Sequence, residues 1–292
     1  NSETRIVLVE NTFKNLTYFL VPKEYRGLTR QRNYGVDKAS ETSDMIAFVD
    51  DDTELTPNYF EELVRTFVAD KTIFGVGGVA LNENSWVLAE PNKQYNKYHF
   101  FQFDKFVYKE GKRNVVRNYL RLQSNLEPGK MPDYSHGRTC GFPLDGKIYK
   151  VDLLIGMSFA FRKIVFDSIQ FSSYFEGYGL YEDADFSIRA LQFGSNVINT
   201  KVQLNHYHDT SGRPNQYQYG KMVVRNGWYV WRTKNPTPTF THQFKWHSIT
   251  ILLTLIRFSN TFTTHKRKQA LTEALGRTVG WWSLIFNKPK DK

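Results

Sequence analysis

The stretch Met45-Ile46-Ala47-Phe48-Val49-Asp50-Asp51-Asp52 decides how this chain is read. Five apolar residues run directly into three carboxylates. A short apolar run bounded by polar residues is the pattern of a buried strand in an α/β sheet. Acids at its end belong at the carboxyl edge of the sheet, where open α/β folds place their ligand crevice. Side chains alternate faces along a strand, so Asp50 and Asp52 point one way and Asp51 the other. Two carboxylates that close repel unless a cation joins them, and a hard divalent ion, Mg2+ or Mn2+, prefers such oxygen ligands. The competing reading is a solvated acidic turn ahead of the next helix. This stretch alone leaves the two even.

At 292 residues the chain can bury a large core, as one large domain or one with a smaller appendage. Its hydrophobic share of 40% and charged share of 23% are those of an ordinary globular protein. A net charge of +10 favours a polyanionic partner: nucleic acid, an anionic membrane surface or phosphorylated substrates. The single cysteine, Cys140, excludes an internal disulfide and a cysteine-built zinc site, and it fits a reducing, cytoplasmic compartment. No apolar run approaches the roughly 20 residues that span a bilayer. The opening Asn1-Ser2-Glu3-Thr4 reads as the start of a fragment.

Upstream of the acids, Leu16–Val21 reads as a strand, and Gly27–Gly35 as a loop passing into a helix capped by Thr29. Arg30 and Arg32 then fall in the first turn, where the helix dipole opposes cations. An incoming diphosphate would account for them; simple solvation is the plainer alternative. Downstream, Thr56 and Pro57 cap a helix over Asn58–Ala69 with an apolar stripe of Phe60, Leu63, Val64 and Phe67. Ile73–Leu81 is a further strand, and residues 82–150 read as an insertion, helical near 114–123. Its aromatics line an acceptor site or form the insertion's own core. Val151–Phe161 reads as a strand containing Gly156.

A glycine-rich loop, Tyr174 to Tyr181, delivers Glu182, Asp183 and Asp185 onto a helix start, with Gly194 as the C′ residue past its end. Capping explains one acid in a first turn. Three leave one over for general-base work on a hydroxyl. Val202–His208 alternates like a strand and ends in His206 and His208, which are metal-ligand candidates or an exposed polar strand end. From Tyr217 the texture changes to tryptophans, tyrosines and cations, with an apolar segment, Trp246–Phe258, too short to cross a membrane. Such a stretch suits the plane of an anionic membrane, or a helical bundle capping the main domain.

Taken in order, Gly27 to Gly35, Asp50-Asp51-Asp52, Gly156, Tyr181-Glu182-Asp183-Ala184-Asp185 and His206-Tyr207-His208 resemble a family 2 glycosyltransferase of the GT-A fold, over residues 1 to about 232. The resemblance implies an α/β protein: a mixed, Rossmann-like sheet flanked by helices across residues 1–216, after which residues 217–292 read as a helical, basic, aromatic extension, membrane-associating or a bundle capping the domain. It implies Mn2+ or Mg2+ held by Asp50, Asp52 and either His206 or His208. It puts Arg30, Arg32, Asn33, Asp50, Asp51 and Gly156 on the side of a nucleotide-diphospho-sugar donor. It makes Asp183 the catalytic base of an inverting transfer, with Glu182, Tyr181 and Asp185 toward a saccharide or lipid-linked acceptor. Polysaccharide or glycolipid synthesis, at the inner face of the cell membrane, is the matching setting. The family's first βαβ unit, with its base-reading Asp, is absent from this stretch of chain. Two rivals remain: a metal-dependent nucleotidyltransferase, and a basic nucleic-acid-binding protein. The second ranks last because clustered carboxylates repel phosphate.

Overall fold

The computed structural model describes residues 6–8, 13–138, 141–175, 177–208 and 214–289. Asn1–Thr4, Cys140 and Lys290–Lys292 lie outside the described residues. In chain order the regular elements are α1 (Leu28–Lys38), β1 (Met45–Val49), β2 (Thr53–Leu55), α2 (Tyr59–Ala69) and β3 (Ile73–Ala80). The insertion supplies β4 (Trp86–Leu88), β5 (Phe100–Phe103), β6 (Phe106–Lys109) and α3 (Lys112–Tyr119). Then follow β7 (Ile148–Val151), β8 (Ser158–Arg162), α4 (Glu182–Ala190) and β9 (Ser195–His206), and last α5 (Gln216–Lys234), α6 (Phe240–Thr263) and α7 (Arg267–Phe286).

One sheet runs β1-β8-β3-β9-β2, with β7 also paired to β9. Only β3 and β9 are parallel; the other pairs are antiparallel. The insertion builds its own small sheet, β4-β6-β5. The apolar run Met45–Val49 is a strand as expected, but it pairs with β8 alone among the described strands, and Val49 is exposed. The acids therefore emerge from a strand on the sheet's rim.

Helix α2 buries Tyr59, Leu63, Thr66 and Phe67, a face of i, i+4, i+7, i+8 spacing. The expected stripe is rotated: Phe60 and Val64 face outward. Tyr59 can turn inward because its hydroxyl meets Ser158 Oγ at 2.6 Å, so its polar tip is satisfied. Burying Leu63 and Phe67 contributes roughly 1.5–3 kcal/mol each.

Several boundaries differ from the sequence reading. Leu16–Val21 forms no strand; Leu16, Phe19 and Leu20 are exposed and have no sheet to join. Thr29 is not a cap. Gly27, at φ 119°, precedes the helix, and Thr29 is buried inside it. Thr56 likewise stands outside α2, donating its hydroxyl to Gln203 O at 2.9 Å. The insertion helix is Lys112–Tyr119. Val151–Phe161 is split into β7 and β8, because Asp152 turns away to accept from Met131 N at 2.9 Å. Gly156 thus lies in a loop. Gly194 stands well past α4 and packs against Phe74. Strand β9 begins at Ser195 and ends at His206, so His208, at φ 52°, has left it.

The C-terminal helices share a core with the sheet-side loops. Trp228, Trp231 and Trp246 interlock, with Trp231 stacked on Trp246 at 5.4 Å, and Met131, Leu153, Phe175 and Leu284 close the cluster. Helices α5 and α7 cross at two glycines. A Cβ on Gly276 would lie 2.0 Å from Tyr217 O, and one on Gly220 would lie 2.2 Å from Glu273 O. Only glycine permits backbones that close.

Candidate active site

The turn after β1 puts Asp50 into a cleft and Asp52 beside His206, which lines it, and leaves Asp51 exposed outside. Pairing of β2 with β9 aligns Thr53 with His206 and so brings the imidazole beside Asp52. His206 Nε2 lies 3.3 Å from Asp52 Oδ1, and its Nδ1 lies 2.8 Å from Glu83 Oε1. Asn82 locks the strand end, donating to His206 O at 2.7 Å and accepting from His206 N at 3.0 Å. His208 Nε2 also lies 2.8 Å from Glu83 Oε1, on a largely exposed side chain. Two overlapping groups result, Asp50–Asp52–His206 and Glu83–His206–His208, each with ligand atoms within 4.8 Å of one another. Glu83 escapes sequence reasoning, since an acid between Asn82 and Asn84 looks like any polar turn.

Arg32 is the hub of the cleft. It is 8% exposed, and its guanidinium lies 4.8 Å from the centre of the Phe159 ring. Nη1 lies 2.5 Å from Glu182 Oε1, a close ion pair without the alignment of a hydrogen bond. Nη2 lies 3.6 Å from Asp50 Oδ1 and donates to Gly156 O at 3.3 Å. One cation therefore ties the acids after β1 to those at the start of α4.

At that start, Tyr181 takes the left-handed conformation, φ 73°, and turns the chain into α4. Asp183 Oδ2 accepts from Gly156 N at 2.9 Å and Oδ1 from Ala184 N at 2.8 Å. Two backbone donors thus fix the carboxylate's direction. A Cβ on Gly156 would lie 3.1 Å from Arg32 Nη2 and 3.3 Å from Glu182 Oε1, so a larger residue there would push on both partners of the ion pair. Glu182 Oε2 is buried with no hydrogen-bond partner among the described residues. Burial, only partly offset by Arg32, pushes the Glu182 carboxyl up to about 8. Burial likewise raises Asp50, against the pull of Arg32.

His136, from the insertion, is a site residue the sequence did not mark. It stacks on Tyr181 at 4.7 Å with an interplanar angle of 3°. Burial pushes its pKa down to about 4, so it is neutral. The cleft holding these groups measures about 720 Å³.

Four expected site residues lie elsewhere. Asp51 is exposed outside the cleft. Arg30 donates to Glu24 O at 2.8 Å and does not line the cleft. Asn33 is used in a reciprocal pair with the Phe171 backbone, 2.9 Å each way, which pins α1 to the loop before α4. Asp185 is fully buried and accepts from Arg189 at 2.7 Å, which removes it from the acceptor side.

Residues 4–127 match the family model of glycosyl transferase family 2. Over that stretch the chain is similar to family 2 glycosyltransferases. Its mixed sheet, flanking helices and helical C-terminal region form the α/β fold of GT-A type. Such a glycosyltransferase works on a nucleotide-sugar donor and an acceptor. The match takes in Arg32, Asp50, Asp52 and Glu83. Glu182, Asp183 and His206 lie beyond it and join the site by geometry alone. No curated protein matches the chain.

Proposed function

We propose that this cleft performs inverting transfer of a sugar from a nucleotide-diphospho-sugar to an acceptor hydroxyl, with Asp183 as the base. The observation that carries the reading is the Asp183 carboxylate, aimed by Gly156 N and Ala184 N into the same cleft as Asp50 and His206, with Asp52 against His206. Glu182 is engaged by Arg32, and its unpartnered Oε2 can receive a hydroxyl hydrogen bond and orient the acceptor. Asp183 takes the proton as the acceptor oxygen bonds to the anomeric carbon. The bond from that carbon to the diphosphate oxygen breaks on the opposite face, and the nucleoside diphosphate leaves with the electron pair.

Two carboxylates and an imidazole within 4.8 Å suit Mn2+ or Mg2+, with Mn2+ the better match to a nitrogen ligand. Bound by Asp50, Asp52 and His206, a divalent cation would neutralise the leaving diphosphate. Arg32 adds fixed positive charge on the same side.

The C-terminal helices carry a second part of the proposal. Phe240, Phe244, Leu255, Phe258 and Phe262 are all exposed and recur along one face of α6. Trp282, Ile285 and Phe286 are exposed on α7, and Lys266, Arg267 and Lys268 lie exposed where the two helices join. No helix among the described residues is long and apolar enough to cross a membrane. An apolar face bordered by cations suits binding in the plane of an anionic membrane.

The test of the catalytic reading is Asp183→Asn. Transfer is expected to vanish while metal-dependent nucleotide binding persists. Equal loss of both would remove Asp183 from the role of base.

A further inference from the structure

A second cavity, of about 610 Å³, opens between the insertion and helices α5, α6 and α7. Five cations line it, Lys112, Arg113, Arg117, Arg138 and Arg277, and no carboxylate lines it among the described residues. Two of the five are neutralised from behind. Arg138 lies 2.9 Å from Glu110, and Arg277 lies 2.8 Å from Glu273. Arg117 is different. It is 8% exposed, and its Nε is buried with no hydrogen-bond partner among the described residues. A buried guanidinium with an unpartnered N–H is costly, and that N–H is open to an anionic acceptor. Burial and the neighbouring Arg138 together push its pKa down to about 10, which still leaves it charged at neutral pH. Lys112 and Arg113 stand in the first turn of α3, where the helix dipole opposes cations and welcomes an anion.

The rest of the wall is apolar, including Val224, Trp246, Ile249 and Leu253. At one end the cavity meets the catalytic cleft, because His136 and Tyr181 line both. Tyr181 directly precedes Glu182 and Asp183 in the chain.

We infer that this cavity receives an anionic group, a phosphate or a carboxylate, carried by the acceptor, whose hydroxyl reaches Asp183 past the stacked His136 and Tyr181. The word acceptor rests on the transferase reading; the binding of an anion does not. Guanidinium groups bind either oxyanion through paired N–H donors. The two sources are separated by the probe.

The experiment is thermal unfolding of the whole chain in EDTA at fixed ionic strength. One arm titrates glucose 1-phosphate and the other glucuronate. Removing divalent cations silences the proposed diphosphate site, so a shift reports the cavity. A rise in Tm is expected in one arm, naming the anion. In Arg117→Gln and in Arg113→Gln the affinity is expected to fall roughly ten- to hundredfold, the worth of a charge-assisted hydrogen bond. Arg117→Gln is also expected to raise the Tm of the ligand-free protein, because a buried charge crowded by Arg138 is gone; an arginine kept only for structure would lower it. Arg113 is exposed, so its variant keeps the test alive should Arg117→Gln fail to fold. No shift in either arm, or shifts untouched by both substitutions, overturns the inference. Anion binding in a protein whose Asp183→Asn variant transfers as well as the parent would leave the cavity standing and remove its assignment to an acceptor.

Discussion

Arg32 and Glu182 face each other across 2.5 Å, with side chains only 8% and 6% exposed. The pair joins α1 to α4 and sits between the acids after β1 and the carboxylate of Asp183. Burial dominates over the ion pair at Glu182, whose carboxyl is raised from 4.5 to about 8. A carboxyl raised in the folded state binds a proton that the unfolded chain has already released. Between those two values its contribution to stability therefore falls as pH rises. In metal-free protein, Glu182→Gln should flatten the decline in Tm between pH 5.5 and pH 8. Arg32→Met should steepen it toward pH 8, since losing the favourable charge raises the Glu182 carboxyl further. Parallel profiles for all three proteins would contradict the pairing.

His206 belongs to both candidate ligand groups, whereas His208 belongs to one and is more exposed. His206→Ala should abolish Mn2+-dependent nucleotide binding. His208→Ala should leave most of it. Glu83 orients His206 through Nδ1, and losing such a partner weakens metal affinity by roughly ten- to hundredfold. Glu83→Gln should show a loss of that size in a Mn2+ titration, read by the metal-dependent shift in Tm.

Gly156→Ala should reduce kcat far more than it reduces nucleotide binding. The added methyl meets Arg32 and Glu182 within 3.1–3.3 Å and disturbs the backbone N–H that aims Asp183. Steady-state kinetics beside a nucleotide titration separate the two effects.

Gly276→Ala tests the packing of the C-terminal helices. The new Cβ would stand 2.0 Å from Tyr217 O, so α5 and α7 must move apart. Overpacking of this kind costs about 1–3 kcal/mol. A lowered Tm is expected, and an unchanged Tm would mean the helices cross less closely.

Vesicle flotation examines the exposed face of α6. Phe258→Asp with Phe262→Asp should release the protein from vesicles containing anionic lipid, and binding to neutral vesicles should be weak throughout. Retention by the double variant would place the contact elsewhere.

The acids after β1 and at the start of α4 were legible because carboxylates in apolar or glycine-rich surroundings break the pattern around them. Asp50, Glu182, Asp183, Tyr181, Gly156 and Arg32 all meet in one cleft, with Asp52 against His206 at its wall. Glu83 and His136 gave no such signal, since each sits in a polar segment and gains its place only through tertiary folding. Asn33 and Asp185 show the opposite error. A polar residue at ligand spacing serves equally well as an internal tie, and only the fold shows that Asn33 holds the Phe171 backbone and Asp185 holds Arg189. The rotation of α2 has the same origin: Tyr59 turns inward because Ser158, ninety-nine residues away in sequence, satisfies its hydroxyl.

The most direct measurement is Tm with UDP, GDP, dTDP, CDP and ADP, each with and without Mn2+. A ligand at a hundred times its Kd stabilises the native state by about 2.7 kcal/mol. The account predicts a rise for one nucleotide that requires Mn2+ and disappears in Asp52→Asn. No rise with any nucleotide, or a rise that survives both removal of the metal and the Asp52 substitution, would contradict it.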